Sequence, residues 1–242
     1  LVVVTYTNKA ADEMHQRARN AIIAAQVGLP VLAQFNRAFF GTIHSFCVRL
    51  LRLHGHRCGL PSQFEPLEED DELWAQFIRQ QDRIAPDLPA DTVEAVCRLM
   101  PLDNLLRLAW ELQKGVALPA RDAIPPPPPV SLKGLLDQTA RRNSAATIAR
   151  AQHAAVAWRQ AWERGDSYVP LPKNTSTARD FVASWENAFG PLRNWLARAA
   201  LAVAAEIARA YRAYRRTRGA LTFSDQVDLA WELLRDPETA RH

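Results

Sequence analysis

A lysine stands where an apolar run passes into a helical pattern near the start of the chain. Residues 5–13 are Thr-Tyr-Thr-Asn-Lys-Ala-Ala-Asp-Glu, and the β-branched run Leu1–Val4 before them predicts a buried strand. The Ala-rich stretch Ala10–Ala25 predicts a helix. A turn from a strand into a helix leaves backbone N–H groups free, and Lys9 adds a positive charge beside them. The pattern predicts a binding site for phosphate, either of a nucleotide or of a nucleic-acid backbone.

A second segment repeats this arrangement at residues 41–47, which are Gly-Thr-Ile-His-Ser-Phe-Cys. Arg37–Thr42 predicts another strand, and His44 to about His54 predicts a helix. Strands that alternate with helices favour parallel pairing in an α/β core. We therefore expect the two turns to lie at the same edge of one sheet and to face a common groove.

Most polar residues of these two segments also have a structural interpretation. Thr7 or Asn8 can cap the first helix and Ser45 the second, and His44 can be a buried histidine with satisfied hydrogen bonds. A cation at Lys9 is harder to explain in this way, because the first turn of a helix favours anions. A bound phosphate explains Lys9 better than helix stability does.

Together these segments resemble the helicases of superfamily 1, the group that includes UvrD, RecB and AddA. The family's first DNA-contacting motif is T-F-T-N-K-A-A-x-E-M, and Thr5–Met14 match it except at position 6, where Tyr replaces Phe. The next motif, G-T-I/F-H-S-F, is matched by Gly41–Phe46. Residues 44–47, with Phe64 downstream, are more similar to the AddA/RecB branch than to UvrD.

A third match lies near the end of the chain, where Gly219–Asp225 resemble the family's L-D-F-D-D-L segment. Within it, Thr222 and Asp225 have the spacing of a capping box, so we interpret Phe223, Ser224 and Asp225 as structural. The resemblance covers both ends of the chain well, and residues 65–195 only by position.

The resemblance implies an α/β fold, namely part of a RecA-like (P-loop NTPase) motor domain with a large, mainly helical insertion. It assigns residues 1–58 to the first part of motor domain 1A, residues 59–198 to a 1B-like insertion and residues 199–242 to the return to 1A. It also implies an ATP-dependent DNA helicase that moves on single-stranded DNA in double-strand break repair or recombination, with a nuclease elsewhere in the protein.

The resemblance further implies which side chains touch DNA. Five residues would hold the backbone of the single strand: Thr7, Asn8, Lys9, Thr42 and His44. Tyr6 would contact a base, although the residue type alone also fits a core position. The implied partners are single-stranded DNA, a duplex junction and a second helicase–nuclease subunit.

The ATP-binding motifs of the family do not occur in these 242 residues. The sequence has no G-x-x-x-x-G-K-[ST] loop for the phosphates and no D-E-x-Q-D motif for Mg²⁺. We therefore expect an internal fragment of a longer enzyme whose cofactors are ATP and Mg²⁺, with no catalytic or metal-binding residue of its own. We also expect exposed apolar surface in the α/β part. The alternative is a non-catalytic DNA-binding or scaffold protein that keeps only the DNA-contact motifs.

Charge is unevenly distributed along a chain whose net charge is +4. Residues 1–60 carry seven Lys and Arg against two acids, whereas residues 61–111 carry four against twelve. Residues 112–242 return to nineteen against twelve, so the basic parts coincide with the motifs. The odd number of cysteines, three, predicts a reducing and thus cytoplasmic location. No apolar stretch approaches the roughly 20 residues of a membrane span.

The middle of the chain is helical in pattern. The predicted helices are Asp71–Gln81, Thr92–Leu99, Leu102–Gln113 and Ala140–Glu163, followed by Leu201–Arg218 and Ser224–Arg235. Five consecutive prolines at 125–129 predict a polyproline II segment, either a spacer on the surface or a ligand for a partner that binds such helices.

Three further groups keep two interpretations each. Four tryptophans can stack on bases or pack in the core, and the spacing favours packing: Trp158, Trp162, Trp185 and Trp195. Three arginines can follow duplex phosphates or form a solvated face: Arg141, Arg142 and Arg150. The group His54, His56 and Cys58 can bind zinc, but it lacks a fourth ligand, and the end of a helix explains it better.

Overall fold

The computed structural model describes residues 1–67, 70–115, 117–138 and 145–236, which form a mixed and mostly helical chain. The strands are β1 (Val2–Thr5), β2 (Phe39–Thr42), β3 (Glu65–Pro66) and β4 (Ala220–Leu221). The first helices are α1 (Asn8–Ala24), α2 (Leu29–Phe35), α3 (Ile43–His54), α4 (Asp71–Gln80), α5 (Ala90–Leu99) and α6 (Leu102–Lys114). The remaining ones are α7 (Lys133–Leu136), α8 (Ala145–Arg164), α9 (Arg179–Arg218) and α10 (Phe223–Arg235), and a 3₁₀ turn spans Gly55–Cys58.

The chain divides into two compact units. Unit 1 contains Leu1–Phe77 and Ala213–His242, and unit 2 contains Ile78–Arg212. These divisions fall later than the predicted boundaries at 58/59 and 198/199. One physical reason is that β3, at residues 65–66, pairs with β4 and so ties the chain beyond residue 58 into unit 1.

Strands β1 and β2 pair in parallel, as the alternation of strands and helices predicts. Val4 lies opposite Gly41, and Thr5 lies opposite Thr42 at the carboxyl ends of both strands. Gly41 has no space for a side chain, because a Cβ atom there would lie 2.6 Å from both the Phe39 ring and Ser45 Oγ.

The helices that follow these strands begin at threonine caps. Thr7 Oγ1 accepts a hydrogen bond from Ala10 N at 3.2 Å, so α1 begins two residues before the predicted start at Ala10. Thr42 Oγ1 accepts from Ser45 N at 3.2 Å. The interpretation of Ser45 as the cap is therefore wrong: Ser45 lies inside the first turn of α3, and its Oγ donates to Thr42 O at 2.9 Å.

A second parallel pair joins two segments that lie far apart in sequence. Glu65 of β3 lies opposite Ala220 of β4, and Pro66 lies opposite Leu221. Gly219 precedes β4 with φ of 68°, and a Cβ atom there would lie 2.8 Å from Gln63 O. Only glycine accepts this backbone without strain, so Gly219 fixes the close approach of the two segments.

The core of unit 1 lies between α3 and α10. Its buried leucines are Leu51, Leu60, Leu221, Leu229 and Leu233. The predicted capping box at the start of α10 is confirmed: Thr222 Oγ1 accepts from Asp225 N, and Thr222 N donates to the Asp225 carboxylate at 3.0 Å.

The expectation of exposed apolar surface in the α/β part is also confirmed. Leu1 is 85% exposed, Leu29 82% and Ile23 56%. Leu29 belongs to α2, a seven-residue helix that the sequence patterns do not predict, because it is too short to show a clear period.

The described residues of unit 2 form helices and loops without strands. The prediction that the tryptophans pack in the core is confirmed for Trp158, Trp185 and Trp195, which are at most 6% exposed. Trp158 stacks on Trp162 with ring centroids 5.7 Å apart and meets Phe189 of α9 edge-on at 5.3 Å.

Helix α9 corrects the prediction of a separate helix that begins at about Leu201. It is one helix of 40 residues and contains Pro191. Proline inside a helix costs about 3 kcal/mol. The helix continues because buried side chains follow one another on both sides of Pro191, including Trp185, Phe189, Leu192 and Trp195.

The proline segment belongs to unit 2 and is held by hydrogen bonds within it. Pro125 O accepts a hydrogen bond from Trp195 Nε1 at 2.7 Å, and Val130 O accepts a longer one from Arg159 Nη2 at 3.4 Å. Pro127 and Pro128 are half-buried, whereas Pro126 and Pro129 are exposed. These contacts favour the spacer interpretation, since both ends of the segment are held by its own chain.

None of the helices in the described parts of the chain combines the length and the apolar character that a membrane span requires.

Candidate nucleic-acid interface

The two predicted phosphate turns lie side by side in unit 1. Thr5 and Thr42 are paired at the ends of β1 and β2, and each strand leads within three residues into a helix. The first N–H groups of a helix have no partner within the helix, and the helix dipole adds partial positive charge there. The N-termini of α1 and α3 therefore present backbone donors at one edge of the sheet.

Neither helix balances this positive end with an acid. The first turns of α1 and α3 contain no Asp or Glu, whereas α4 begins with Asp71 and Glu72, and α10 has Asp225 in its first turn. The sheet edge therefore keeps an electrostatic preference for anions, as expected of a surface that binds phosphate.

The side chains of the first turn are open to solvent. Asn8 and Lys9 are exposed, and within the described residues Lys9 makes no ion pair. Tyr6 is 92% exposed, so the alternative of a core tyrosine is wrong. Thr5 Oγ1 donates to Thr7 O at 2.7 Å and thereby orients the turn between the strand and the helix. The turn thus presents an ammonium group, an amide and an aromatic ring together.

His44 is half-buried in the first turn of α3, and its ring stacks on that of Phe223 with ring planes 22° apart. His44 Nε2 is buried, and no described residue forms a hydrogen bond with it, so the interpretation of a satisfied buried histidine is wrong. Burial lowers the pKa of the His44 imidazole below its ordinary value, which favours the neutral ring.

Phe223 is the residue of this site that the sequence interpretation missed. The capping-box spacing predicts a structural role for it, but its side chain is 61% exposed at the first position of α10. The structure brings Phe223 into contact with His44 from a position 179 residues later in the chain.

The groups that this surface offers are backbone N–H donors, an amide, an ammonium group and aromatic rings. No three described His, Cys, Asp or Glu side chains lie close enough together to hold a metal ion. The sequence contains no Gly-Lys-Ser/Thr phosphate loop either. The residues present therefore do not fit ATP with Mg²⁺, and the surface suits a chain of phosphates with unstacked bases.

The predicted duplex-binding arginines are only partly described. Arg141 and Arg142 lie outside the described residues, and Arg150 is exposed on α8. A role for Arg150 in binding duplex DNA stays a prediction.

Comparison with known protein families matches residues 1–242 to the UvrD/REP helicase N-terminal domain. The chain belongs to the UvrD/REP helicase family. Membership implies a RecA-like helicase fold, in agreement with the parallel β1–β2 pair and the helices that follow it.

Three individual helicases are each similar to part of the chain. The AddA polypeptide of the ATP-dependent helicase/nuclease from Pelotomaculum thermopropionicum is 38% identical over 78 residues, which is 29% of this chain and 6% of the relative. The corresponding polypeptide of Moorella thermoacetica is 41% identical over 80 residues, also 29% of this chain and 6% of the relative. DNA helicase II of Escherichia coli is 37% identical over 73 residues, 30% of this chain and 9% of the relative. The chain thus spans less than a tenth of the length of these relatives.

Proposed function

We propose that this chain is the strand-binding part of an ATP-dependent DNA helicase that moves along single-stranded DNA. The observation that carries the proposal is the pairing of Thr5 with Thr42, which places the N-termini of α1 and α3 at one edge of the sheet. Two such N-termini offer neighbouring sites for successive phosphates of one strand.

Each exposed group of this surface then has a role in binding single-stranded DNA. The N–H groups at the starts of α1 and α3, with the Asn8 amide and the Thr42 turn, hold phosphate oxygens, and Lys9 adds a mobile charge. The rings of Tyr6 and Phe223 are exposed and support stacking on unpaired bases, which is worth about 1–3 kcal/mol per base. His44, whose pKa is lowered by burial, donates a ring N–H to a phosphate oxygen.

The wider function follows from the family and belongs to the same proposal. ATP and Mg²⁺ are the cofactors of the whole enzyme, and hydrolysis drives stepwise movement along the strand during double-strand break repair or recombination. The relatives named as parts of a helicase/nuclease support a nuclease activity in the complex and a second polypeptide as partner. A duplex junction is the second nucleic-acid partner, unit 2 corresponds to the 1B-like insertion, and the protein works in the cytoplasm.

The test uses the full-length protein, a fluorescently labelled oligo-dT strand and duplex DNA of the same length. We expect tighter binding of the single strand and ATP hydrolysis that the strand stimulates. Tyr6→Ala should weaken strand binding by about tenfold, within the range of one stacked base. The matched control is Tyr168→Ala, which removes another exposed tyrosine in unit 2.

Equal losses in the two tyrosine variants would contradict the proposed surface. Strand binding without any ATP hydrolysis would support the alternative, a non-catalytic DNA-binding or scaffold protein.

A further inference from the structure

Arg215 is a buried cation that joins three elements of unit 1. It lies near the end of α9, its side chain is 1% exposed, and Nη1 donates to the Asp70 carboxylate at 2.7 Å. Nη2 lies 2.9 Å from the Asp225 carboxylate. Asp70 immediately precedes α4, and Asp225 lies in the first turn of α10. One guanidinium therefore ties the start of α4 and the end of α9 to the start of α10.

Such an arrangement is poorly explained by stability alone. Removing a guanidinium and two carboxylates from water is costly, and buried ion pairs often contribute no net stability compared with apolar residues. What the planar fork of arginine supplies is geometry, because its two ends bind two carboxylates in fixed directions. The role of the buried Arg215 is therefore better explained by the residues that it holds in place than by stability.

The position that Arg215 fixes is the first turn of α10. The Asp225 carboxylate that binds Arg215 also accepts a hydrogen bond from Thr222 N at 3.0 Å. Thr222 directly precedes Phe223, whose ring stacks on His44 at the proposed strand-binding surface. A continuous series of contacts leads from Arg215 through Asp225 and Thr222 to Phe223.

We propose that Arg215 is a positioning residue for the strand-binding surface, acting through Asp225 on the Phe223–His44 ring pair. The inference rests on the proposed function, because it assumes that these two rings meet single-stranded DNA. It goes beyond that function by linking the last turns of α9 to the strand. A change in the direction of α9 would alter the stacking of Phe223 on His44. The affinity for single-stranded DNA would then depend on α9, although α9 is not part of the proposed surface.

The neighbouring arginine, Arg216, provides a comparison for Arg215. Arg216 also reaches α10 from α9, but it pairs there with Glu232, nine residues beyond Phe223, at 3.7 Å, and its side chain also hydrogen-bonds Cys58. Arg216 therefore connects the same two helices without touching the first turn of α10, which makes it the matched control for Arg215.

The experiment measures the Kd for labelled oligo-dT of full-length variants by fluorescence anisotropy, at a temperature where circular dichroism shows each variant folded. Arg215→Gln should raise Kd about tenfold, in the range measured for coupling between contacting residues. Arg216→Gln should leave Kd within about twofold, since exposed ion pairs contribute little. Arg215→Lys keeps a cation without the two-ended fork and should give an intermediate Kd.

The decisive readout is a double-mutant cycle with Phe223→Ala. If Arg215 acts through Phe223, adding Arg215→Gln to Phe223→Ala should raise Kd no further. Independent, multiplying effects would overturn the inference, and so would an unchanged Kd in both Arg215→Gln and Arg215→Lys. If Arg215→Gln does not fold, the cycle with Arg215→Lys decides by the same criterion.

The failure of the inference is distinguishable from the failure of the proposed function. If the parent protein does not bind oligo-dT, both the proposed function and the role of Arg215 are wrong. If the parent binds oligo-dT and the Kd depends on Phe223 but not on Arg215, only the role of Arg215 is wrong.

Discussion

Thr5 lies directly opposite Thr42, at the last paired position of two parallel strands. This one register position brings together two motifs that are separated by more than thirty residues in sequence. Each motif then turns into a helix whose first N–H groups are available to a ligand. The site is thus assembled by the sheet, and its backbone donors are kept in every substitution except one to proline.

The exposed ammonium of Lys9 should contribute one phosphate contact. Lys9→Ala is expected to weaken the binding of all single-stranded sequences alike and to lower the slope of log K against log salt by about 0.7. The slope is measured by titrating labelled oligo-dT at several salt concentrations. Lys133→Ala removes an exposed lysine in unit 2 and should leave the slope unchanged. The same slope in parent and Lys9→Ala would exclude a phosphate contact at this residue.

His44 should make the stability of the protein depend on pH. Its pKa is lowered by burial, so the folded protein binds fewer protons than the unfolded chain at this group. The free energy of unfolding should therefore fall as the pH drops below about 6.5, the ordinary pKa of histidine, and level off below the folded pKa. Comparing the Tm of the parent with that of His44→Gln between pH 7.5 and 5 isolates this effect from the other five histidines. A parallel decline in both proteins would show that His44 does not cause it.

His44 should also affect the coupling between DNA binding and ATP hydrolysis. In the full-length enzyme, His44→Ala should leave ATP binding intact and reduce the hydrolysis that single-stranded DNA stimulates. The reason is that His44 belongs to the proposed strand-binding surface, and the sequence contains no phosphate loop near it. Steady-state phosphate release, measured with and without oligo-dT, checks the expectation. A normal response to DNA would mean that His44 has a structural role.

Gly219 should tolerate substitution much less well than Gly59, although both have positive φ. Alanine at either position incurs about 1–2 kcal/mol for the left-handed backbone. At Gly219 the Cβ atom would also lie 2.8 Å from Gln63 O, whereas at Gly59 nothing lies within 4 Å. Crowding of this kind adds about 1–3 kcal/mol. Urea denaturation of the two variants should show the larger loss of unfolding free energy for Gly219→Ala, and equal losses would contradict the close approach of β3 and β4.

The 242-residue polypeptide alone should not hydrolyse ATP. Its sequence contains neither a loop ending in Gly-Lys-Ser/Thr nor the acidic motif for Mg²⁺. Phosphate release from the purified polypeptide should therefore equal that of a protein-free blank, with or without single-stranded DNA. Release that rises on addition of DNA would show that the motor chemistry is contained in these residues.

Features encoded by neighbouring residues could be predicted from the sequence. The strand–turn–helix pattern at Lys9, the caps at Thr7 and Thr222 and the packing of Trp158 with Trp162 all depend on residues within about four positions of one another. Local sequence is sufficient for these because caps and helix faces are local structures.

Apart from the parallel β1–β2 pair, features that depend on distant residues could not be predicted. Arg215 and Asp70 are 145 positions apart, and nothing in either sequence neighbourhood specifies the other as its partner. The strands β3 and β4 have two residues each, too few to show alternation. The continuity of α9 through Pro191 is decided by burial along its length, which outweighs the local preference to end the helix.

The Asp225 carboxylate binds both Thr222 N and Arg215. This double contact limits the substitutions that the family can accept at positions 70, 215 and 225. Replacing Asp225 by an apolar residue removes the reciprocal hydrogen bond of the capping box and an ion-pair partner in one step, whereas the bond from the backbone N–H of residue 225 to Thr222 Oγ1 remains. Replacing Arg215 leaves two neighbouring anions without their common cation. Viable lineages should therefore change positions 70, 215 and 225 together, either all charged or all neutral, and an aligned set of close relatives should show these three columns covarying.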